Sequence, residues 1–161
     1  MSEIKTDQEI AAGLWQSLKP GQPLLALLTT ASSAGVPHAT WMGTIGTPNP
    51  SLILTITSPD SRKVHNIREN PAVEWLLSET SRRELLYLRG TAHIVDDVAE
   101  QKRCWQEIPG KDQAFFLRYF NTSPGFAIIR TEVESALLVF PEEFRSVAIP
   151  LEDLQTDMEL E

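Results

Sequence analysis

The sequence is poor in several things that would have given its class away. It has one cysteine, Cys104, in 161 residues, which excludes an internal disulfide framework and a multi-cysteine zinc site. No apolar run approaches the ~20 residues of a membrane helix. Met1 to Glu9 is polar and acidic where a secretory signal would be basic and then apolar. Bases are scarce: 14 against 22 acids, a net charge of −8, which disfavours the basic footprint of nonspecific nucleic-acid binding. The sequence shows no internal repeats and no low-complexity linker in residues 11–149, and neither a Walker loop nor a Ser-His-Asp order. The expectation is a cytoplasmic protein that meets neither membrane nor nucleic acid.

The hydrophobic share of 42% is that of a soluble globular domain, and a chain this long buries enough surface to fold as one domain without staples. The acidity is uneven. Residues 150–161 carry Glu152, Asp153, Asp157, Glu159 and Glu161 with no base, and residues 1–10 carry Glu3, Asp7 and Glu9 against Lys5. Those ends account for −5 and −2, leaving −1 for residues 11–149.

Thr6 and Glu9 have the spacing of a capping box, and Ile10, Leu14 and Leu18 recur every four residues, predicting a first helix that stops by Lys19-Pro20-Gly21. Leu24 to Ser32 and Val36 to Ile45 read as a hairpin about Ser33-Ala34-Gly35. Thr47-Pro48-Asn49-Pro50 breaks the chain before a strand from Ser51 to Thr57, so the three strands suggest an antiparallel meander. Ser58-Pro59-Asp60 has the composition of a helix start, with Ser58 as cap, and Asn70-Pro71 stops that helix. Strands follow at Val73 to Leu77 and Leu85 to Val95. A helix capped by Asp96 or Asp97 runs to about Glu107, and another spans Gln113 to Tyr119. Phe126 to Arg130 and Ala136 to Phe140 complete seven strands. Many short strands with few helices predict a mainly β fold, a small antiparallel barrel carrying peripheral helices. The globular domain is expected over residues 1–145, with an acidic tail over 146–161.

The segment richest in chemistry is TITSPDSRKVHNIRENP, residues 55–71. A helix N-terminus presents unpaired N–H groups and partial positive charge, which suits a phosphate. Arg62 adds a bidentate fork, Lys63 a point charge, and Ser58 and Ser61 hydroxyls. Basic residues at a helix start oppose the dipole, a cost that a bound anion would offset. The competing reading is a solvated helix whose Arg62 and Lys63 pair with Asp60 or Glu69.

In its order of segments the chain resembles the pyridoxamine-phosphate-oxidase-like family of FMN-binding split barrels, in particular the small, stress-protein-like subgroup. The likeness rests on LLALLTTASSAGVPHAT with its Gly35-Val36-Pro37 turn, on LTITSPDSRKVHNIRENPAVEWLL, and on Leu88-Arg89-Gly90-Thr91-Ala92, and it covers about residues 10–145. It implies a split β-barrel homodimer with FMN at the interface, and flavin chemistry with a small redox substrate or NAD(P)H. It places Arg62 and Lys63 on the FMN phosphate, with Ser58 and Ser61 beside them. Ile56 and Thr57 fall on the adjoining strand end, and Thr40, Trp41, Met42 and Gly43 on the strand lining the isoalloxazine ring. Two positions depart from the true oxidases, which carry an arginine where Thr40 stands and a polar residue where Leu85 stands. The end of the chain departs further. The oxidases finish in an arginine- and tryptophan-containing segment for the substrate phosphate, whereas SVAIPLEDLQTDMELE is acidic, with Arg145 the nearest base. The resemblance therefore implies the fold and the FMN without the B6-oxidase reaction. It leaves open a non-enzymatic flavin or haem protein and an F420-dependent reductase.

Other residues carry less. Trp41 suits stacking on a flavin as well as it suits a core or interface aromatic, whereas Trp75, Tyr87 and Trp105 read as packing residues. His38, His65 and His93 lack metal-ligand spacing, and Cys104 reads as a buried structural thiol.

Overall fold

We describe the protein from a computed structural model, for residues 3–18, 25–43, 45–79, 81, 83–108, 110, 113–114, 117 and 125–155. Helix α1 (Asp7–Gln16) begins at the capping box expected: Thr6 Oγ1 accepts from Glu9 N–H, and the Glu9 carboxylate accepts from Thr6 N–H. The strands are β1 (Leu25–Ala31), β2 (Pro37–Met42), β3 (Ile45–Asn49), β4 (Leu52–Thr57), β5 (Ala72–Ser78), β6 (Leu85–Ile94), β7 (Ala127–Phe140) and β8 (Arg145–Ile149). Helix α2 (Arg62–Glu69) joins β4 to β5, and α3 (Val98–Glu107), capped by Asp97, follows β6. The helix expected at Gln113 to Tyr119 lies largely outside the described residues.

All eight strands belong to one antiparallel sheet in the order β2-β1-β5-β6-β7-β4-β3, with β8 also paired to β7. The two ends of that order, β2 and β3, are separated in sequence only by Gly43 and Thr44. One continuous stretch of chain thus supplies both edges, so the sheet must curl on itself, as a split barrel does. The β1–β2 hairpin is as expected, but the meander is not: β3–β4 is a second hairpin at the far end of the sheet. Pro48 and Pro50 read as breakers, yet an edge strand with a register irregularity between Gly46 and Asn49 accommodates a residue lacking an N–H.

The expected pair of strands at 126–130 and 136–140 is one strand, β7. From Ile129 its burial alternates until Glu134 and Ser135, which are both exposed. The pairing explains the interruption: Arg89 faces Ser135 and Gly90 faces Val133, leaving Glu134 as the extra residue of a bulge. Gly90 is required there, because a Cβ would collide with the Glu132 carbonyl.

The expected tail is also corrected over its first part. Residues 145–149 form β8, and the 3₁₀ turn Leu151–Leu154 packs on α1 with Leu154 fully buried. Four apolar side chains, Val147, Ile149, Leu151 and Leu154, hold this acidic segment to the barrel.

Inside the curl lies the main core, including Leu28, Ile53, Trp75, Leu77, Leu86, Leu88, Ile129 and Leu138. The Trp75 indole donates to Thr131 Oγ1 at 3.1 Å, so its one polar atom is satisfied. A second cluster of Leu52, Leu54, Ile56, Val95, Cys104, Ile108 and Ile128 lies under α3. Strand β4, buried at all six positions, separates the two. No helix among the described residues is long and apolar enough to cross a membrane.

Candidate functional site

Strand β4 runs directly into the cation-bearing turn. The helix starts three residues later than the sequence suggests: Ser61, not Ser58, is the N-cap, and residues 58–60 form a turn in which the Ser58 carbonyl accepts from Ser61 N–H at 3.2 Å. Arg62 and Lys63 are therefore the first two residues of α2, and its first turn holds no acid. Ser61 does not cap with its side chain, and its Oγ is buried without a hydrogen-bond partner. Among the described residues neither Arg62 nor Lys63 makes an ion pair, so the expected alternative of pairing with Asp60 or Glu69 is not found. Arg68, at the other end of the same helix, is held by Asp96 in a bidentate pair at 2.8 and 3.0 Å. Burial pushes the Lys63 ammonium below its ordinary value. The orphaned Ser61 hydroxyl, the partly desolvated, unpaired Lys63 ammonium and the exposed, unpaired Arg62 guanidinium all belong to the start of α2, whose first N–H groups have no helical acceptor. That donor set fits a phosphate.

Two side chains fix where this cap sits. Asn66 Nδ2 donates to Thr30 Oγ1 at 3.0 Å, both residues being buried, and Asn70 Nδ2 donates to the Ser32 carbonyl at 3.4 Å. Four helical residues rise about 6 Å and two strand residues about 6.8 Å, so these anchors set α2 parallel to β1. Leu28, two residues before Thr30 on the same face of β1, has Thr40 as its cross-strand partner. Helix α2 accordingly lies against β1, β2 and β6.

Thr40 and Met42 share the half-buried face of β2, while Trp41 points the other way and is 60% exposed. Gly43, just past the strand, is exposed. Ile56 is buried in the cluster beneath α3, and Thr57, on the opposite face of β4, ends that strand. Ser58 is half-buried one residue further on. Trp41 thus points outward from β2, and Ile56 packs into the cluster beneath α3.

Trp41 belongs instead to a row that sequence reading did not assemble. Trp41 pairs with Leu27, Leu27 with Leu76, Leu76 with Tyr87, Tyr87 with Leu137, and Leu137 with Ala148. This apolar ribbon crosses the outer face of six strands, about 24 Å of sheet at ~4.8 Å per spacing. Its signal was present in LLALL and AVEWLL, where both phases of the alternation are apolar.

The remaining candidates have plain structural roles. Trp75 is core, and Trp105 stacks on Phe126 with ring centroids 5.3 Å apart. Cys104 is buried; burial first, then Glu100 and Glu107, push its thiol up, the opposite of an activated nucleophile. His93 lies 3.4 Å from Glu100, His65 is exposed, and no metal-ligating cluster occurs among the described residues. Arg89 pairs with Glu74 at 2.7 Å, Arg83 is exposed, Leu85 is half-buried at the start of β6, and Arg82 lies outside the described residues.

Comparison with known proteins agrees with this architecture. The model of the pyridoxamine 5'-phosphate oxidase family matches residues 11–140. Comparison with curated protein sequences gives no match. Among solved structures, a Clostridium acetobutylicum protein related to general stress protein 26, of the pyridoxinephosphate oxidase family, aligns with a TM-score of 0.69 and 14% identity, covering 93% of this chain and 100% of that one. The haem storage protein HutZ from Vibrio cholerae aligns with a TM-score of 0.65 and 16% identity, over 85% of this chain and 95% of that one. An F420 reductase aligns with a TM-score of 0.50 and 19% identity, over 75% and 93%. At these identities the likeness is one of fold.

Proposed function

Because the chain belongs to the pyridoxamine 5'-phosphate oxidase family, we propose that it is an FMN-binding flavoprotein with oxidoreductase chemistry, lacking the family's namesake reaction. The observation that carries this reading is the unpaired cation cap of α2: Arg62 and Lys63 beside the orphaned Ser61 hydroxyl. The half-buried Lys63 ammonium and the orphaned Ser61 hydroxyl are costly unless an anion completes them, and exposed Arg62 offers that anion a second cation. FMN, when bound, supplies hydride and electron transfer. The chain's part is binding: Ser61, Arg62 and Lys63 hold the phosphate, and the β2 segment from Thr40 to Gly43 lies beside the ring.

Residues 145–155 support the exclusion of a phosphorylated B6 substrate. Arg145, the only base in that segment, is already engaged by Asp7 at 2.8 Å and Glu143 at 3.1 Å, and lies 3.9 Å above the Phe140 ring. Around it stand acids that repel a phosphate dianion. The redox partner is accordingly a small molecule or NAD(P)H rather than a second phosphorylated vitamer. A second copy of the chain covers the outward ribbon from Trp41 to Ala148, giving a homodimer with the cofactor at its edge.

The visible spectrum of the purified protein, before and after incubation with FMN, tests this reading. Flavin bands retained through gel filtration are expected. A Soret band would favour the haem reading that HutZ suggests, retention of F420 alone the deazaflavin reading, and a colourless protein that retains no added FMN would overturn the proposal. Given bound flavin, reduction by NADH or NADPH separates enzyme from carrier.

A further inference from the structure

Three exposed apolar side chains, Val98, Leu117 and Phe126, meet in one place: with Trp105 and the buried Ile128 they line a cleft of about 400 Å³ along α3. A cleft of that size takes one small molecule. Its helical wall is a single face of α3, on which Val98, Gln101, Lys102, Trp105 and Gln106 recur at turn spacing. That wall is tied down along its length. Asp97 accepts from Glu100 N–H at 2.8 Å, Gln101 Nε2 donates to the Val95 carbonyl at 2.9 Å, and Gln113 Nε2 donates to the Trp105 and Ile108 carbonyls at 2.7 and 3.0 Å. Across the cleft, the Phe126 ring stacks on Trp105 with the planes 19° apart. The cleft is therefore preformed, with a flat aromatic wall.

The polar groups beside that wall are few and of one sign. Lys102 and Gln106, exposed and one turn apart, make no ion pair or hydrogen bond among the described residues. No acid lines the cleft among the described residues. Of the acids on α3, Glu100 is engaged by His93 and Arg130, and Glu107 stands outside the lining. In a chain of net charge −8, a lone cation thus sits beside an apolar slot. Charge complementarity asks for an anion, and the stacked rings ask for a planar aromatic group. We propose that this cleft binds a small aromatic carboxylate, its ring against Trp105 and Phe126 and its carboxylate at Lys102 and Gln106. One cation suits a monoanion better than a phosphate dianion. The site is separate from the α2 cap, because α3 packs on the second cluster, Val64 and Ile67 of α2 pack into the main core, and β4 lies between the two. Binding here is independent of a flavin phosphate.

The test uses two probes, naphthoate and its uncharged isostere naphthamide, titrated by calorimetry into wild type, Lys102→Met and Phe126→Leu. Wild type should bind a single naphthoate per chain, about two- to fivefold more tightly than naphthamide, the size of an exposed ion pair. Lys102→Met should lose that preference and keep the wild-type affinity for naphthamide, because methionine preserves the apolar stem of the lysine. Phe126→Leu should weaken both probes about two- to tenfold, the size of an aromatic contact. Lys102 is exposed, so its substitution leaves the fold intact and that arm can be read even if Phe126→Leu unfolds. Failure of wild type to bind either probe would overturn the proposal, as would equal affinity for the two. A preference for naphthoate that survives in Lys102→Met would put the carboxylate elsewhere and overturn it as well, and so would wild-type affinities in a folded Phe126→Leu.

Discussion

Lys63 is where the account is most exposed at the scale of a single residue. A half-buried ammonium without a partner destabilises the ligand-free fold, so Lys63→Met should raise the melting temperature of the ligand-free protein while weakening FMN. The pH dependence has a definite sign. Burial lowers the folded-state value from 10.5, so between the folded and unfolded values the unfolded chain binds more protons. Lys63 therefore contributes stability that rises with pH through that window, and thermal melts of wild type and Lys63→Met between neutral and alkaline pH should show that slope in wild type only. The sequence pointed to Arg62 and Lys63 as candidates because a basic pair after Ser-Pro-Asp opposes the helix dipole, and the structure has both at the start of α2 without an ion pair. It misplaced the cap by three residues, since both Ser58 and Ser61 satisfy local capping rules and only the turn hydrogen bond from Ser61 N–H to the Ser58 carbonyl decides between them.

At the scale of elements, α2 is held by its two asparagines rather than by its ion pair. Asn66→Ala leaves Thr30 Oγ1 without its donor and should cost about 1–3 kcal/mol, with a further loss of FMN affinity because α2 loses an anchor to β1. Arg68→Ala breaks an exposed pair with Asp96 and should cost under about 1 kcal/mol. Chemical denaturation with FMN titration of both variants checks the contrast. Gly90→Ala should be worse than either, at about 2–4 kcal/mol, because the new Cβ meets the Glu132 backbone. The bulge opposite Gly90 is also why β7 was illegible as one strand: the extra residue at Glu134 puts two exposed residues in succession and breaks the period. Strand β3 was missed for the complementary reason, an edge that tolerates Pro48. Helices α1 and α3 were legible because their caps, Thr6 with Glu9 and Asp97, are local chemistry.

For the whole molecule, the uneven charge matters less than where the acids go. The expected acidic tail is, through residue 155, part of the packed structure, with Leu154 buried against α1. Period-three apolar residues among acids were read by their charge rather than by Leu151 and Leu154. The outward ribbon likewise needed the register of six strands to be seen. Its Leu137 is 39% exposed and lies on β7, so, on the proposed dimer, Leu137→Glu should leave the monomer folded and shift light scattering from dimer to monomer mass. Circular dichroism should be unchanged, and FMN affinity should fall if the proposed second chain closes the site.

The central claim is that the first turn of α2 holds the phosphate of a flavin. Its most direct measurement is a titration of wild type and Arg62→Ala/Lys63→Ala with FMN and with riboflavin, followed by flavin fluorescence. The account predicts that wild type prefers FMN to riboflavin. In the double variant FMN affinity should fall by about a hundredfold or more, as expected for two charge-assisted hydrogen bonds of roughly 1.5–3 kcal/mol each, while riboflavin affinity stays as in wild type. Equal FMN affinity in the two proteins, or no preference of wild type for FMN over riboflavin, would contradict it.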